Sequence, residues 1–417
     1  MKINALWWLL LTPLASAQVD NLSVSGFGTL GIMSSDSSKY GSRLDISQTD
    51  GSFNNHIDYK NSTVLGLQLD YPFNSNSHFV FQSVYNNQPN LDLDTTTRLA
   101  FAQFTPAADW SLRVGRTAIN LFLRTQFRDV GFGYTWAHAP TEVYGLVPFR
   151  HLDGADLTYH SRLFGHSLVS NLFMGKGRAS IATYDFKTQI DLQDVYGLSI
   201  NLNAYSWSLQ WRYTNASLNT GNVTYTELID GLTAISQIPG FSSIWPNHEV
   251  TLVNLENTNE KIDYISFAGQ YDWQHWSYLV EASTLHPKQD IISDTTAAYA
   301  SVIYHDDNAS YYGIYSFVRS DGINIDNQNV DLSALSNIPG GTDIYEGVEI
   351  AFSFYSSNQS TISLGWRWNI FSNLALKFQW DHTQIDAQGG TIWLNKDVAI
   401  APKATVNTLF SNVSFIF

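Results

Sequence analysis

Two short patterns in this sequence contain the residue types of an enzyme site. Residues 25–31, SGFGTLG, have the G-x-G-x-x-G spacing of a dinucleotide-binding loop. Such a loop joins a strand to a helix, whereas these glycines lie inside a predicted strand, so we interpret the match as chance. His151, Asp153, His160 and Ser161 are the residue types of a Ser/His hydrolase. Catalysis also needs a third orienting group in a defined geometry, and we predict that the protein is not an enzyme.

The composition of the chain excludes several classes of protein. Of its 417 residues, 14% are charged and 14% are aromatic, whereas a typical soluble domain has about 25% charged residues. The formal net charge of −15 argues against a nucleic-acid partner, which requires a basic surface. The absence of cysteine excludes thiol catalysis and a disulfide scaffold, and it suits export through an oxidising periplasm. We predict neither a cofactor nor a metal site.

The first 17 residues, MKINALWWLLLTPLASA, have the three parts of a secretory signal peptide. Lys2 provides the positive start, an apolar stretch follows, and residues 15–17 form an A-x-A cleavage site. The apolar stretch is shorter than the ~20 residues that cross a bilayer as a helix. We therefore predict a cleaved signal peptide over residues 1–17 and a single domain over residues 18–417.

The rest of the chain alternates apolar and polar residues with a period of two. Residues 65–71, 207–214, 362–369 and 374–381 show the alternation most clearly. This period places one set of side chains on each face of a strand. One face is rich in aromatic residues near the segment ends, as at a membrane interface, and the other in Gln, Asn, Ser and Arg. The pattern predicts an all-β fold, an antiparallel transmembrane β-barrel.

Short turns and long connections alternate along the predicted strands. This alternation is typical of bacterial barrels, which have short turns at one end and long loops at the other. Counting segments predicts 16 strands. Two assignments are weak: residues 297–304, and residues 345–355, which form either a hairpin inside a long loop or two further strands, for a total of 18. A barrel of this size encloses water.

Several segments carry a family resemblance. In the last strand Leu409, Ser411, Val413, Phe415 and Phe417 share one face, which resembles the terminal strand of Gram-negative outer-membrane barrels, where the final phenylalanine is an assembly signal. Together with residues 24–32, 112–159 and 363–381, the chain resembles the gammaproteobacterial porin-like proteins of the sixteen-stranded porin class. The resemblance implies a homotrimeric diffusion channel in the bacterial outer membrane. Its implied partners are small hydrophilic solutes, outer-membrane lipid and lipopolysaccharide, and the barrel assembly machinery.

The resemblance also implies a pore constriction. In porins the third external loop follows the fifth strand and folds into the barrel; here residues 110–116 form the fifth predicted strand and residues 117–151 follow it. The charged residues that we expect in this loop are Arg124, Arg128, Asp129, Glu142 and Arg150, and those that we expect on the pore-lining wall are Arg113, Arg116, Arg212, Arg367 and Lys377. We hypothesise that Asp129 and Glu142 face wall cations across a narrow passage. Opposed charges of this kind set ion selectivity.

Two long external loops share a motif. Residues 232–240, LTAISQIPG, recur as residues 332–340, LSALSNIPG, and each copy ends in a Pro-Gly stop. The two copies could form a lid, pack against each other at the mouth, or simply be compact turns. Both loops are acidic, with Glu227, Asp230, Glu249 and Glu256 in one and Asp321, Asp326, Asp331, Asp343 and Glu346 in the other.

Three functions suit this sequence. The first is a passive diffusion channel for small hydrophilic solutes and ions. The second is a substrate-selective nutrient channel, in which aromatic residues of the third loop contact a sugar or an apolar solute; these residues are Phe122, Phe127, Phe132, Tyr134, Trp136 and Tyr144. The third is a surface binding protein that acts through its long external loops while the pore stays closed.

Overall fold

The computed structural model describes most of the chain. The described residues are 18–19, 21–183, 187–219, 225–256, 259–288, 292–321, 329–353, 356–395 and 402–417. The predicted signal peptide and the acidic residue Asp326 lie outside these ranges.

Sixteen long antiparallel strands form the molecule. Their bounds are β1 Leu22–Ser35, β2 Val64–Asn74, β3 Ser77–Tyr85, β4 Thr97–Ala107, β5 Trp110–Ala118, β6 His151–Leu163, β7 His166–Ala182, β8 Lys187–Asn203, β9 Trp207–Asn219, β10 Asn259–Trp273, β11 Trp276–Pro287, β12 Thr295–His305, β13 Ala309–Ser320, β14 Ser357–Phe371, β15 Leu374–Gly390 and β16 Ala404–Ile416. Two-residue strands at Gln18–Val19 and Ile57–Asp58 extend the same sheet, and Tyr40–Gly41 pairs with Leu394–Asn395. The predicted strand at residues 297–304 corresponds to β12.

Each strand pairs with its neighbour in sequence, and β1 pairs with both β2 and β16. The sheet is therefore a closed barrel, and the prediction of 16 strands is confirmed. At the seam, Gly26 and Phe417 exchange two backbone hydrogen bonds of 2.9 Å. The Phe417 ring covers Gly26 so closely that an added Cβ would lie 2.3 Å from it. Glycine at position 26 is thus required for this contact.

The alternation of the sequence becomes two chemically different barrel faces. On β9, for example, Leu209 and Trp211 are exposed on the outer face, whereas Arg212 is buried on the inner face. Outward aromatic side chains such as Tyr71 and Trp110 lie near short turns, as the sequence predicts. No helix among the described residues has the length and apolar character needed to cross a membrane.

Residues 119–150, which we call the luminal loop, connect β5 to β6 and fold into the barrel. The loop contains two short 3-10 helices, Thr125–Phe127 and Gly131–Gly133, and one helical turn, Thr141–Tyr144. Its side chains Phe122, Trp136 and Val143 belong to a hydrophobic core that they share with inward-facing strand residues. The barrel interior at this level is therefore filled by the loop on one side.

Several of the connections between the barrel strands contain short helices. Besides α1 (Leu93–Thr96) and the turn α2 (Thr141–Tyr144), they are α3 Thr226–Ser236, α4 Phe241–Ile244, α5 His248–Glu256, α6 Leu332–Leu335 and α7 Gly341–Ser353. Helices α3 to α7 form a second hydrophobic core, which we call the helical cap. The prediction of a hairpin or two strands at residues 345–355 is wrong, because α7 covers residues 341–353. Its residues Val348, Ala351 and Phe352 recur with a helical period and are buried.

The two copies of the repeated motif pack against each other in the cap. The ring of Trp245, five residues after the first Pro-Gly, lies 5.5 Å from that of Tyr345, five residues after the second. Leu232 of one copy and Leu335 of the other are fully buried in the same core. Of the three expectations for this motif, mutual packing is the one that the structure shows.

Candidate functional site

The luminal loop is attached to the barrel wall by buried cationic side chains. On β15, the Lys377 ammonium is fully buried and donates hydrogen bonds to the carbonyl oxygens of Gly131 (2.6 Å), Tyr134 (2.7 Å) and Trp136 (3.0 Å). On the adjacent β14, Arg367 donates to the Tyr134 carbonyl at 2.7 Å. Lys377 and Arg367 thus lie on the inner wall, where the period of two puts them, and they bind loop backbone.

A chain of ion pairs ties the interior and the C-terminal end of the loop to the wall and to the first external loop. Asp129 contacts Arg98 of β4 and Arg150, each at 3.2 Å. Asp45 of the first loop contacts Arg150 at 2.7 Å and Arg128 at 3.3 Å. All five side chains are at most 14% exposed. Three cations and two anions therefore pair with one another away from water, with one positive charge in excess.

Burial and pairing shift the pKa values of these loop residues. Burial raises the pKa of Asp129, but Arg150, Arg98 and Arg128 outweigh it, so its pKa falls below the usual range. Burial is the largest influence on Arg128 and lowers its pKa to about 10. At neutral pH both groups therefore stay charged.

Glu142 is placed differently from the hypothesis. Its carboxylate is almost fully buried and accepts hydrogen bonds from Ser316 of β13 at 2.7 Å and from Gln359 of β14 at 2.6 Å, with Thr361 as a third donor. Its partners among the described residues are neutral. Asp129, for its part, contacts Arg98 directly. Neither carboxylate faces a wall cation across an open gap, because each is bonded to the wall itself.

Arg113 and Arg116 of β5 lie on opposite faces of the barrel. Arg113 points inward and donates from Nε to both carboxylate oxygens of Asp156 on β6, at 2.9 and 3.0 Å. Arg116 contacts Asp153 of β6 and Asp94 of α1. It lines a surface recess together with Val114 and Met174, both exposed on the outer wall. The expectation that Arg116 lines the pore thus differs from the structure, since residues three apart on a strand face opposite sides.

The remaining predicted residues, Arg124 and Arg212, face the lumen. Arg124 donates to Gln270 of β10 at 3.2 Å. Arg212 of β9 donates to the loop residue Asn120 at 3.0 Å. Arg124, like Arg128, Arg150 and Arg367, is partly buried, and the Arg113 side chain is 22% exposed, so Arg113 and Arg124 can both meet a passing ion.

Two further carboxylates hold the loop and were not singled out from the sequence. Glu281 of β11 accepts from the Leu123 backbone N–H and from the Tyr144 hydroxyl, both at 2.8 Å. Asp381 of β15 contacts His138 at 2.9 Å. Both residues lie at inward positions of the two-residue period, so the sequence could have identified them as facing the lumen. The period of two gives no such signal for Asp45, which lies in a long external loop.

Comparison with known proteins supports the fold. No protein-family model matches this chain, and no curated protein matches it. Among solved structures, the outer membrane channel DcaP of Acinetobacter baumannii has a TM-score of 0.56 at 11% identity, covering 96% of this chain and 100% of that chain. The anion-selective porin from Comamonas acidovorans has a TM-score of 0.52 at 10% identity, covering 95% and 99%.

The trimer form of OmpT, an outer membrane protein of Vibrio cholerae, has a TM-score of 0.52 at 9% identity, covering 95% of this chain and 100% of that chain. These similarities extend over nearly the whole described barrel. At such low identity they show that this chain has the fold of outer-membrane porins. The narrower resemblance to gammaproteobacterial porin-like proteins stays a prediction.

Proposed function

We propose that this protein is an outer-membrane channel through which small hydrophilic solutes and ions diffuse passively. The observation that carries the proposal is the luminal loop, which is bonded to β4 through Arg98, to β11 through Glu281 and to β15 through Lys377. A loop attached to widely separated strands narrows the lumen without requiring a moving part. The outward apolar face and the closed hydrogen bonding of the barrel support a membrane location.

The polar part of the inner wall supports the passage of water and ions. Below the loop, Gln68 and Gln82 bond to each other on β2 and β3, and Arg113 pairs with Asp156. These side chains continue along the inner faces of neighbouring strands. We propose that Arg113 and Arg124 set the sign of ion selectivity, because both face the lumen and neither is fully buried.

The first test is the conductance of the mature, refolded protein in a planar bilayer, with the reversal potential measured in a salt gradient. We expect stepwise open-channel currents. Steps in multiples of three would support the homotrimer that we propose by analogy with the OmpT trimer form. A folded, inserted protein that passes no current would contradict the channel and would favour a surface binding protein.

A matched pair of variants on β5 tests the assignment of the lumen. Arg113→Ser removes a cation from the inner wall, and we expect the reversal potential to shift toward cation selectivity. Arg116→Ser removes the same charge from the outer wall, and we expect no shift. Equal effects of the two variants would contradict the proposed role of Arg113. The heat-dependent mobility of the folded barrel on SDS gels controls for misfolding.

The remaining partners are also proposals. We propose that outer-membrane lipid and lipopolysaccharide surround the apolar outer face. We further propose that the barrel assembly machinery recognises the last strand through Phe417. The position of this residue at the seam between β1 and β16 supports that role, because it lies where closure of the barrel is completed.

A further inference from the structure

The inner wall changes its chemistry along the strands that face the luminal loop. On β9 the inward residues Gln210 and Arg212 are followed, toward the long-loop end, by Ala216 and Leu218. On β10 the inward Gln270 lies near a short turn, whereas Ile262 lies toward the long loops. One half of this wall is therefore polar and the other half is aliphatic.

The aliphatic half and the luminal loop line a partly open cavity of about 150 Å³. Its wall is almost wholly apolar, with Ile190, Leu218 and Ile262 from the strands and Val143 and Leu146 from the loop among the lining residues. A water molecule is stably buried only where about three polar groups can bond to it. An aliphatic cavity of this size has room for a benzene-sized molecule.

Two polar groups on the cavity wall have no hydrogen-bond partner in the part of the chain that the structure describes. They are the buried hydroxyls of Thr214 on β9 and Tyr264 on β10, which are cross-strand neighbours. The Glu142 carboxylate also reaches the cavity, but Ser316, Gln359 and Thr361 already occupy it. A buried hydroxyl without a partner is costly, and a ligand group that bonds to it removes that cost.

We propose that this cavity binds a small, mainly apolar molecule of about one ring, whose single hydroxyl or carbonyl group bonds to Thr214. The inference rests on the proposed channel, because it names a second class of solute for the same lumen. A few placed polar groups in an otherwise apolar pocket are typical of small-molecule sites. The cavity thus adds a selective site to a passage that is otherwise polar.

The probe is 4-bromophenol, which combines one ring, one hydroxyl and a bromine that scatters anomalously. Crystals of the mature protein are soaked in it, and we expect a bromine peak inside the cavity. Ala216→Phe places a ring in the cavity from β9, and we expect it to abolish the bromine peak. Ala297→Leu fills the cavity from β12 and replaces the first variant if that variant does not fold. Ala102→Phe, on the exposed outer face of β4, is the matched control and keeps the peak.

Equilibrium dialysis of the solubilised protein measures affinity, with Ala216→Phe as the background for probe dissolved in detergent. Thr214→Val keeps the side-chain shape and is expected to weaken 4-bromophenol binding about fivefold, the loss of one neutral hydrogen bond. Unchanged affinity would overturn the assignment to Thr214. A peak that is absent, confined to the outer wall or present in Ala216→Phe would overturn the site. Normal conductance without a bromine peak would support the channel and contradict the binding site. A bromine peak without conductance would support the binding site and contradict the channel.

Discussion

The luminal loop and the helical cap are both built from external connections between strands, and both contain a hydrophobic core. Different interactions stabilise the two regions. The luminal loop is held by buried charges and polar side chains of many strands, including Lys377, Arg98 and Glu281. The cap core is made by two loops alone, and its centre is apolar, with Trp245 and Leu335 fully buried. The luminal loop therefore depends on closure of the barrel, whereas the cap depends only on contact between its own two loops.

The cap also shows a duplication that the luminal loop lacks. Two contacts in the cap are equivalent when each residue is exchanged for the one 100 positions away: Gly231 lies beside Ile344, and the Asp331 backbone N–H donates to the Ile244 carbonyl at 2.8 Å. Gly240 and Gly340 both adopt the left-handed conformation, with φ of 84° and 76°, which favours glycine. Reciprocal contacts of this kind indicate a local pseudo-twofold arrangement.

The surface of the cap is uniformly acidic. Its described segments, residues 225–256 and 329–353, contain no Lys or Arg and eight carboxylates, which are Glu227, Asp230, Glu249, Glu256, Asp331, Asp343, Glu346 and Glu349. The luminal loop instead pairs its charges with the barrel wall and with the first external loop. A mutation should therefore affect one region without the other, and three predictions test this separation.

The largest effect is expected for Lys377→Met. The variant leaves the carbonyl oxygens of Gly131, Tyr134 and Trp136 buried without their shared donor. We expect the free energy of unfolding, measured by urea titration in lipid vesicles, to fall by about 3–5 kcal/mol. Conductance should rise or become unstable as the loop detaches. Lys176→Met, an exposed lysine on β7, is the control; equal losses in both variants would contradict the anchoring role.

An intermediate effect, confined to the cap, is expected for Trp245→Ala. Removing this buried ring loses its packing against Tyr345 and Phe241. We expect the cap to lose about 3 kcal/mol of local stability, seen as faster proteolysis within residues 225–256. The gel mobility of the barrel should not change, and Val253→Ala, at an exposed position of α5, should resist proteolysis like the wild type. Loss of the folded barrel itself would show that the two cores are coupled.

The smallest effect is a pH dependence from His138. Burial lowers the pKa of His138, but the charge and hydrogen bond of Asp381 outweigh it, so the pKa is raised above its usual value near 6.5. The stabilisation is fully present below about pH 6.5 and is lost as the pH rises through the folded pKa. We expect a fall in the unfolding free energy on the order of 1 kcal/mol across this window. His138→Gln should abolish that slope, and an unchanged slope would contradict the assignment.

The sequence predicted the architecture of the barrel more completely than it predicted the contacts between individual side chains. The number of strands follows from local signals, whereas the role of the last strand ending at Phe417 and the entry of the third loop after β5 were implied by the resemblance to porins. The partners of Asp129 and Glu142 follow from neither. Asp129 pairs with Arg98, 31 residues away, and Glu142 bonds to Thr361, 219 residues away. Only closure of the barrel brings such residues together.

The sequence by itself determined which residues face outward and which face inward, because a strand repeats every two residues whatever its partner. The same period separates Arg113 from Arg116, so the expectation that both line the pore did not follow it. Only the tertiary structure decided which inward charges meet water and which are buried. That outcome depends on where the luminal loop lies: it covers Lys377 and Glu281, leaves Arg113 partly open, and lines an apolar cavity beside Thr214.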